Sequence, residues 1–373
     1  MDHDLAVKSN IVSIAPGRIC LFGDHQDYLG LPIIACAINK HITLTATKNN
    51  RRLFIIKMPD INLERIIDLD NDIIQVVKGD HFLSALKVLK GYNCVPNFGY
   101  DITIVGELPI NAGTSSSSAV VISWVQFLLE AFGPKHLATR ATISQIAYEA
   151  EVVEHGAPGG KMDHYSIGIG SVIFLETGDD FSFQIFDRPI SGLIIGESGI
   201  PKETLGLLGD LKEKTWLAIH SVKAELRDFE LKSAKWADLK KYLNYVPDSL
   251  QNYFKAAITN HDITKKALAE LSKNEPDYQT IGNLMTEHHN VLKNLLRITV
   301  PKIDKMVNAA LRAGAFGAKI VGSGGGGCIV ALAPKGKEQQ VIDAIINAGG
   351  KNAYQVEVDL GARIVKSEEV INQ

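Results

Sequence analysis

Two stretches of this 373-residue chain concentrate groups that could do chemistry. In RICLFGDHQDYLG, Arg18, Asp24, His25 and Asp27 fall within ten residues, beside Gly17, Gly23 and Gly30. A guanidinium, two carboxylates and an imidazole at glycine turns suit a polyhydroxylated or charged ligand. In PINAGTSSSSAVVISWVQFLLEA, Gly113 and Ser115 to Ser118 stand where an alternating segment meets an apolar helical one. Small residues there leave backbone N–H groups and hydroxyls facing outward, which makes an anion cradle at a helix start. A solvated hairpin and a Ser-rich linker are the plainer readings of these stretches. A linker, however, is not expected directly between a strand and a long apolar helix.

The elements that must hold these groups follow from pattern. Ile11 to Ala15 reads as a strand that breaks at Pro16-Gly17, Leu31 to Thr47 and Arg52 to Lys57 as strands rich in β-branched residues, and Asp80 to Gly91 as a helix. Phe98 to Leu108 is a strand leading into the serine cradle, whose helix runs through Phe132. Thr142 to Glu154 has helical period, with Ile143, Ile146, Ala147 and Ala150 on one side and Glu151 on another, and must end near His155-Gly156 because Pro158-Gly159-Gly160 follows. Lys161-Met162-Asp163-His164 then falls at a junction before a strand from Ser171 to Leu175. Past residue 190, strand-like Gly192 to Gly196 and Lys319 to Leu332 enclose helical pieces at Pro201 to Phe229, Ala234 to Tyr245, Leu250 to Thr259 and Tyr278 to Leu296. Gly322 to Gly327, flanked by AKIV and CIVAL, reads as a tight turn against which something sits.

Hydrophobic residues at 46% and charged residues at 22% describe an ordinary globular protein, and a formal charge of -3 gives no bulk attraction to nucleic acid or an anionic membrane. Cys20, Cys36, Cys94 and Cys328 have neither a CxxC pair nor a metal-like spacing, so they are expected to be reduced and buried. MDHDLAVKSN lacks the marks of a leader, and no run reaches the roughly 18 apolar residues of a spanning helix. The expectation is a cytoplasmic protein, monomeric or weakly dimeric, that binds neither nucleic acid nor membrane.

Three motifs together resemble the GHMP kinase superfamily, which contains galactokinase, homoserine kinase, mevalonate kinase and phosphomevalonate kinase. APGRICLFGDHQDYLG is similar to the galactokinase signature, PINAGTSSSSA to the family's phosphate-binding loop with Asn111 and Thr114 replacing Gly and Leu, and KIVGSGGGGCIVAL to its C-terminal glycine motif. The resemblance implies an α+β fold of two domains, 1–190 and 191–373. The first has a mixed sheet with a left-handed βαβ crossover, the second is a ferredoxin-like α/β domain, and the active site lies between them.

It also implies roles. Asn111, Ala112, Gly113, Thr114, Ser115, Ser116, Ser117 and Ser118 would bind the phosphates of ATP, mainly through backbone groups. Ser116 would place a hydroxyl on Mg²⁺, with Ser117 as its alternate and Glu151 as the carboxylate partner. Glu151 lies twelve residues before Asp163, as in galactokinases, and four before His155-Gly156, as in mevalonate kinases. Asp163 would polarise the acceptor hydroxyl's proton, with Arg18 holding it ionised. Asp24, His25, Asp27 and the Gly160 backbone would hold a sugar, since carboxylates and imidazole pair directionally with hydroxyls. Several features depart from galactokinases: Asp24 is shorter than the usual Glu, Cys20 replaces Asn, His164 replaces Gln, Lys161 is an extra charge, and ESGIPKET is similar to mevalonate kinases. The implied activity is ATP- and Mg²⁺-dependent phosphorylation of galactose or a related hexose, at the anomeric hydroxyl. A mevalonate kinase and a non-catalytic sugar sensor on the same fold are the alternatives.

Overall fold

The computed structural model describes residues 9–72, 75–109, 112–186, 188, 190–202 and 205–365, the side chain of Leu205 aside. Its first strand, β1 (Asn10–Phe22), does not stop at Pro16-Gly17. It runs on against β2 (Ile33–Lys48), with a shift of register between Pro16 and Gly17. A bulge tolerates the proline, which cannot donate to the ladder, so a sequence break signal becomes a bend in one long strand. That bend carries Arg18 and the following turn into the molecule.

β3 (Leu53–Met58) and β4 (Leu63–Asp68) form a hairpin, and α1 (His81–Gly91) starts at Asp80, whose side chain accepts the Leu83 N–H. β5 (Tyr100–Gly106) leads to α2 (Ser116–Phe132), an apolar helix whose Trp124 and Phe127 pack edge-on against Phe54. α3 (Arg140–Tyr148) continues into a single π turn, Glu149–Val153, and α4 (Met162–Ile169) follows the glycine-rich loop. β6 (Val172–Glu176) and β7 (Ser182–Phe186) complete this half.

The second half opens on β8 (Leu193–Glu197) and holds α5 (Leu205–Glu225), α6 (Leu239–Leu243), α7 (Gln251–Leu271), α8 (Tyr278–Asn294) and α9 (Pro301–Arg312). It ends with β9 (Gly317–Val321), β10 (Cys328–Leu332), α10 (Glu338–Asn347), β11 (Asn352–Val356) and β12 (Arg363–Val365). The helix expected from Ala234 is only the short α6, preceded by 3-10 turns that leave Trp236 exposed.

Among the described residues, β12-β1-β2-β5-β3-β4 form one sheet, joined by β6 on β2 and β7 on β6. It is mixed because β3 and β5 run parallel, while its other pairs are antiparallel. The second sheet, β11-β8-β10-β9, is antiparallel with α8, α9 and α10 against it, the ferredoxin-like arrangement. The two halves meet at two places that matter for the site. α5 and α7 bury Tyr28, Leu29 and Leu31 beneath Ala218, Ile219 and Phe254, which fixes the turn after β1. The β9–β10 turn lies against the loop before α2, where a Cβ on Gly113 would stand 2.7 Å from the Val321 carbonyl. The loop before α2 is thus what sits against the glycine turn.

Candidate active site

A cavity of 320 Å³ opens between the halves, walled by the turn after β1, the start of α2, the π turn, the loop into α4, Lys202 and the β9–β10 turn. At its floor Arg18, buried at the bend of β1, joins two of the expected groups. Its Nε donates to Asp163 Oδ1 at 2.8 Å, another nitrogen stands 2.7 Å from the same oxygen, and a third donates to the Gly113 carbonyl at 2.5 Å. Ser115 adopts a left-handed backbone at φ 56° and gives its hydroxyl to Asp163 Oδ2 at 2.6 Å, leaving α2 without a side-chain cap. A residue at the N-cap ordinarily caps its own helix. Here the hydroxyl is diverted to the carboxylate. Burial favours the neutral acid, but the Arg18 charge and the Ser115 hydrogen bond outweigh it and hold Asp163 at about 2.

Glu151 projects from the π turn, a local widening of the helix frequently found at functional sites. Its Oε2 stands 2.7 Å from His164 Nε2, and the Ser118 hydroxyl also bonds it. Burial raises its pKa, and the His164 and Ser118 contacts reverse the shift, so the carboxylate stays ionised. Ser118, not Ser116, is therefore the hydroxyl beside Glu151. Two residues along a helix turn a side chain by about 200°, so the register that aims Ser118 at Glu151 turns Ser116 away. Ser117 and Ser118 line the cavity and Ser116 does not. Among the described residues no three His, Cys, Asp or Glu side chains converge on one metal position.

At the opposite end, Asp24 is taken up by the second half of the chain. Its Oδ2 pairs with Lys319 at 2.6 Å and its Oδ1 accepts the Gly322 N–H at 2.9 Å, with both side chains almost wholly buried. Lys319 also donates to the Cys20 carbonyl at 2.9 Å. His25, at φ 64°, shares Nδ1 with the Tyr28 hydroxyl at 3.2 Å, and burial lowers its pKa, so the ring is neutral. Asp27 accepts from the amides of Tyr28 and Met162 at 3.0 and 3.4 Å. Burial and the nearby Asp163 charge raise it to about 6. A Cβ at Gly160 would collide with the Asp27 carboxylate, so only glycine lets that loop close over it.

The structure thus brings together Arg18, Asp163, Ser115, Ser117, Ser118 and Glu151, and beside them Asp24, His25, Asp27 and Gly160. Ala112 and Gly113 lie in the loop against the glycine turn, and Thr114 is fully buried with its carbonyl accepting the Arg18 amide at 3.1 Å. Asn111 lies outside the described residues. Sequence reasoning missed Lys319, hidden in an apolar strand, Lys202, Ser323, and His81, whose ring meets His155 edge-on at 5.1 Å on the cavity wall. The Lys161 ammonium stands over the Phe181 ring, 4.3 Å from its centre.

Comparison with known proteins decides the family. The GHMP kinases N terminal domain matches residues 77–171, GHMP kinases C terminal matches 264–352, and the galactokinase galactose-binding signature matches 5–48. The chain belongs to the GHMP kinases. A mevalonate kinase of Thermococcus onnurineus is 28% identical over 97% of this chain and 99% of its own length. A galactokinase of Pyrococcus furiosus is 27% identical over 91% and 93%. Among solved structures, Lactococcus lactis galactokinase complexed with galactose superposes with a TM-score of 0.82 at 21% identity, covering 96% of this chain and 95% of that one, a likeness of fold. As a GHMP kinase the chain is a phosphotransferase acting on a hydroxyl group, and kinases of this family use ATP as co-substrate. Among the described residues no helix is long and apolar enough to cross a membrane.

Proposed function

We propose that this GHMP kinase transfers the γ-phosphoryl group of ATP to a hydroxyl, by resemblance the anomeric one, of galactose or a closely related hexose. The observation that carries the reading is the charge balance of the end holding Asp24, His25 and Asp27. Lys319 is neutralised by Asp24, Arg18 by Asp163, His25 is neutral, and Asp27 adds a carboxylate. Such a pocket accepts and donates hydrogen bonds to hydroxyls and repels a carboxylate. Lys202, which lines the cavity with Lys78 and feels the charges of Arg18, Asp163 and Glu151, is assigned to the phosphates. The ATP phosphates are assigned to Ala112 through Ser118, and Asn111 is proposed with them on sequence alone. The two working lobes are taken to divide near residue 190.

Phosphoryl transfer asks for alignment and charge stabilisation more than for a strong base. A carboxylate held near 2 takes a proton only late, which suits a loose transition state in which the hydroxyl keeps its proton until the phosphoryl group arrives. Asp163 orients that hydroxyl, Arg18 and Ser115 fix Asp163, and Lys202 faces the developing phosphoryl charge. Glu151 with Ser117 and Ser118 offers a carboxylate and hydroxyl oxygens, a donor set that fits Mg²⁺, which keeps the rest of its shell for water and phosphate. The cation supplies charge neutralisation on the phosphates when bound.

A second reading, mevalonate as acceptor, is favoured by the 28% identity to the Thermococcus onnurineus mevalonate kinase over nearly the whole chain. A coupled ADP-release assay over a panel of free hexoses and mevalonate separates the two. Hexose-dependent release, falling by roughly 10²- to 10⁴-fold in Asp163→Asn, supports the sugar kinase. Release with mevalonate alone overturns it.

A further inference from the structure

The turn between β9 and β10 is five glycines and one serine. Ser323 is the residue in GSGGGG that has a side chain. All five glycines there have positive φ, and Ser323 does not share that conformation, so the turn bends around it. The turn is clamped by backbone bonds from Gly325 to the Ile298 carbonyl and from Gly327 to the Ile200 carbonyl, each 2.8 Å, and by Gly322 on Asp24. Within that clamp Ser323 is 8% exposed and lines the cavity, and its buried hydroxyl has no hydrogen-bond partner. His25 lines the same cavity, its Nδ1 3.2 Å from the Tyr28 hydroxyl and its ring engaged by the backbone of Ser323 and Gly322. A buried hydroxyl left unpaired beside a cavity is costly unless a ligand completes it.

Resting on the sugar-kinase reading above, we infer that the Ser323 hydroxyl holds a non-reacting hydroxyl of the acceptor, so that the glycine turn of the second half is a specificity element of the acceptor pocket. Ser323 follows Gly322, whose amide binds Asp24, and its hydroxyl is uncharged, which selects a neutral hydroxyl over a phosphate or carboxylate. A site built to bond a hydroxyl discriminates against an acceptor lacking it, because its own polar groups are then left unpaired.

Steady-state kinetics of Ser323→Ala and the nearly isosteric Ser323→Cys, on the full chain with the preferred acceptor and its monodeoxy analogues, test this. The acceptor KM is expected to rise roughly tenfold in Ser323→Ala, with the ATP KM unchanged. One deoxy analogue should bind wild type and variant equally, since the hydroxyl that Ser323 contacts is already gone. A thermal melt of each variant checks that the fold is kept. A rise in ATP KM with unchanged acceptor KM would assign the hydroxyl to the nucleotide and overturn the inference, as would equal losses with every analogue. If mevalonate alone is turned over, the sugar reading fails. The Ser323 assignment then stands only if Ser323→Ala raises the mevalonate KM, and falls otherwise.

Discussion

At the scale of single residues, two carboxylates less than one cavity apart are driven in opposite directions. Burial raises both, but Asp163 has Arg18 and Ser115 bonded to it and is held at about 2, whereas for Asp27 burial and the Asp163 charge outweigh two amides and the weaker pull of Arg18 and push it up to about 6. In Arg18→Met the carboxyl of Asp163 loses its counter-charge while remaining buried. Its pKa should rise, and the acid limb of the kcat/KM profile should move to higher pH. Asp27 gives a separate inflection. Its ionised form accepts hydroxyl hydrogen bonds, so the acceptor KM should be lowest above about pH 6 and climb below it, a step that Asp27→Asn should remove. The stability sign is opposite to that of a paired acid. A folded-state pKa raised above the unfolded value makes ionised Asp27 a burden above about pH 6, relieved as pH falls through that value. Asp27→Asn should therefore melt several degrees higher than wild type at pH 8 while binding acceptor more weakly. Arg18, Asp163, Glu151 and Asp27 were legible because motif spacing marks them. Lys319 was not, since a lysine between Ala318 and Ile320 carries no sign in sequence that its ammonium turns inward to Asp24.

At the scale of elements, geometry is set by three local departures from regular structure: the bulge at Pro16-Gly17, the left-handed Ser115 and the π turn at Glu149–Val153. Periodicity marks a helix through Glu154 but cannot reveal the extra residue in one turn that aims Glu151 inward. Nor does it show which of four consecutive serines faces Glu151, and so Ser116 was favoured where Ser118 makes the contact. Strands β4, β7, β11 and β12, of three to six residues each, are too short for pattern to mark them. The loop before α2 offers a direct test of the packing. Gly113 has φ 97° and faces the Val321 carbonyl, so Gly113→Ala adds both backbone strain and a clash. A destabilisation of about 1–3 kcal/mol by denaturant unfolding and a raised ATP KM are expected.

At the scale of the whole molecule, the two halves share the site. Arg18, Asp163 and the serine loop come from the first, Lys319, Ser323 and Lys202 from the second, and the pair of Asp24 with Lys319 ties the two sheets together beneath the acceptor end. Lys319→Met leaves Asp24 charged and buried without a partner. A loss of about 3–5 kcal/mol in unfolding free energy is expected, much of it recovered in the double variant Asp24→Asn/Lys319→Met. The sequence comparisons are led by mevalonate kinases, while the signature over residues 5–48 is that of galactokinases. The end around Asp24 and Asp27, where Lys319 and Arg18 are paired and Asp27 adds a carboxylate, supports the latter reading. The most direct test is a competition: the protein with ATP, Mg²⁺ and equal concentrations of galactose and mevalonate, the product identified by phosphorus NMR. A hexose 1-phosphate signal is expected, and phosphomevalonate as the dominant product would contradict the account.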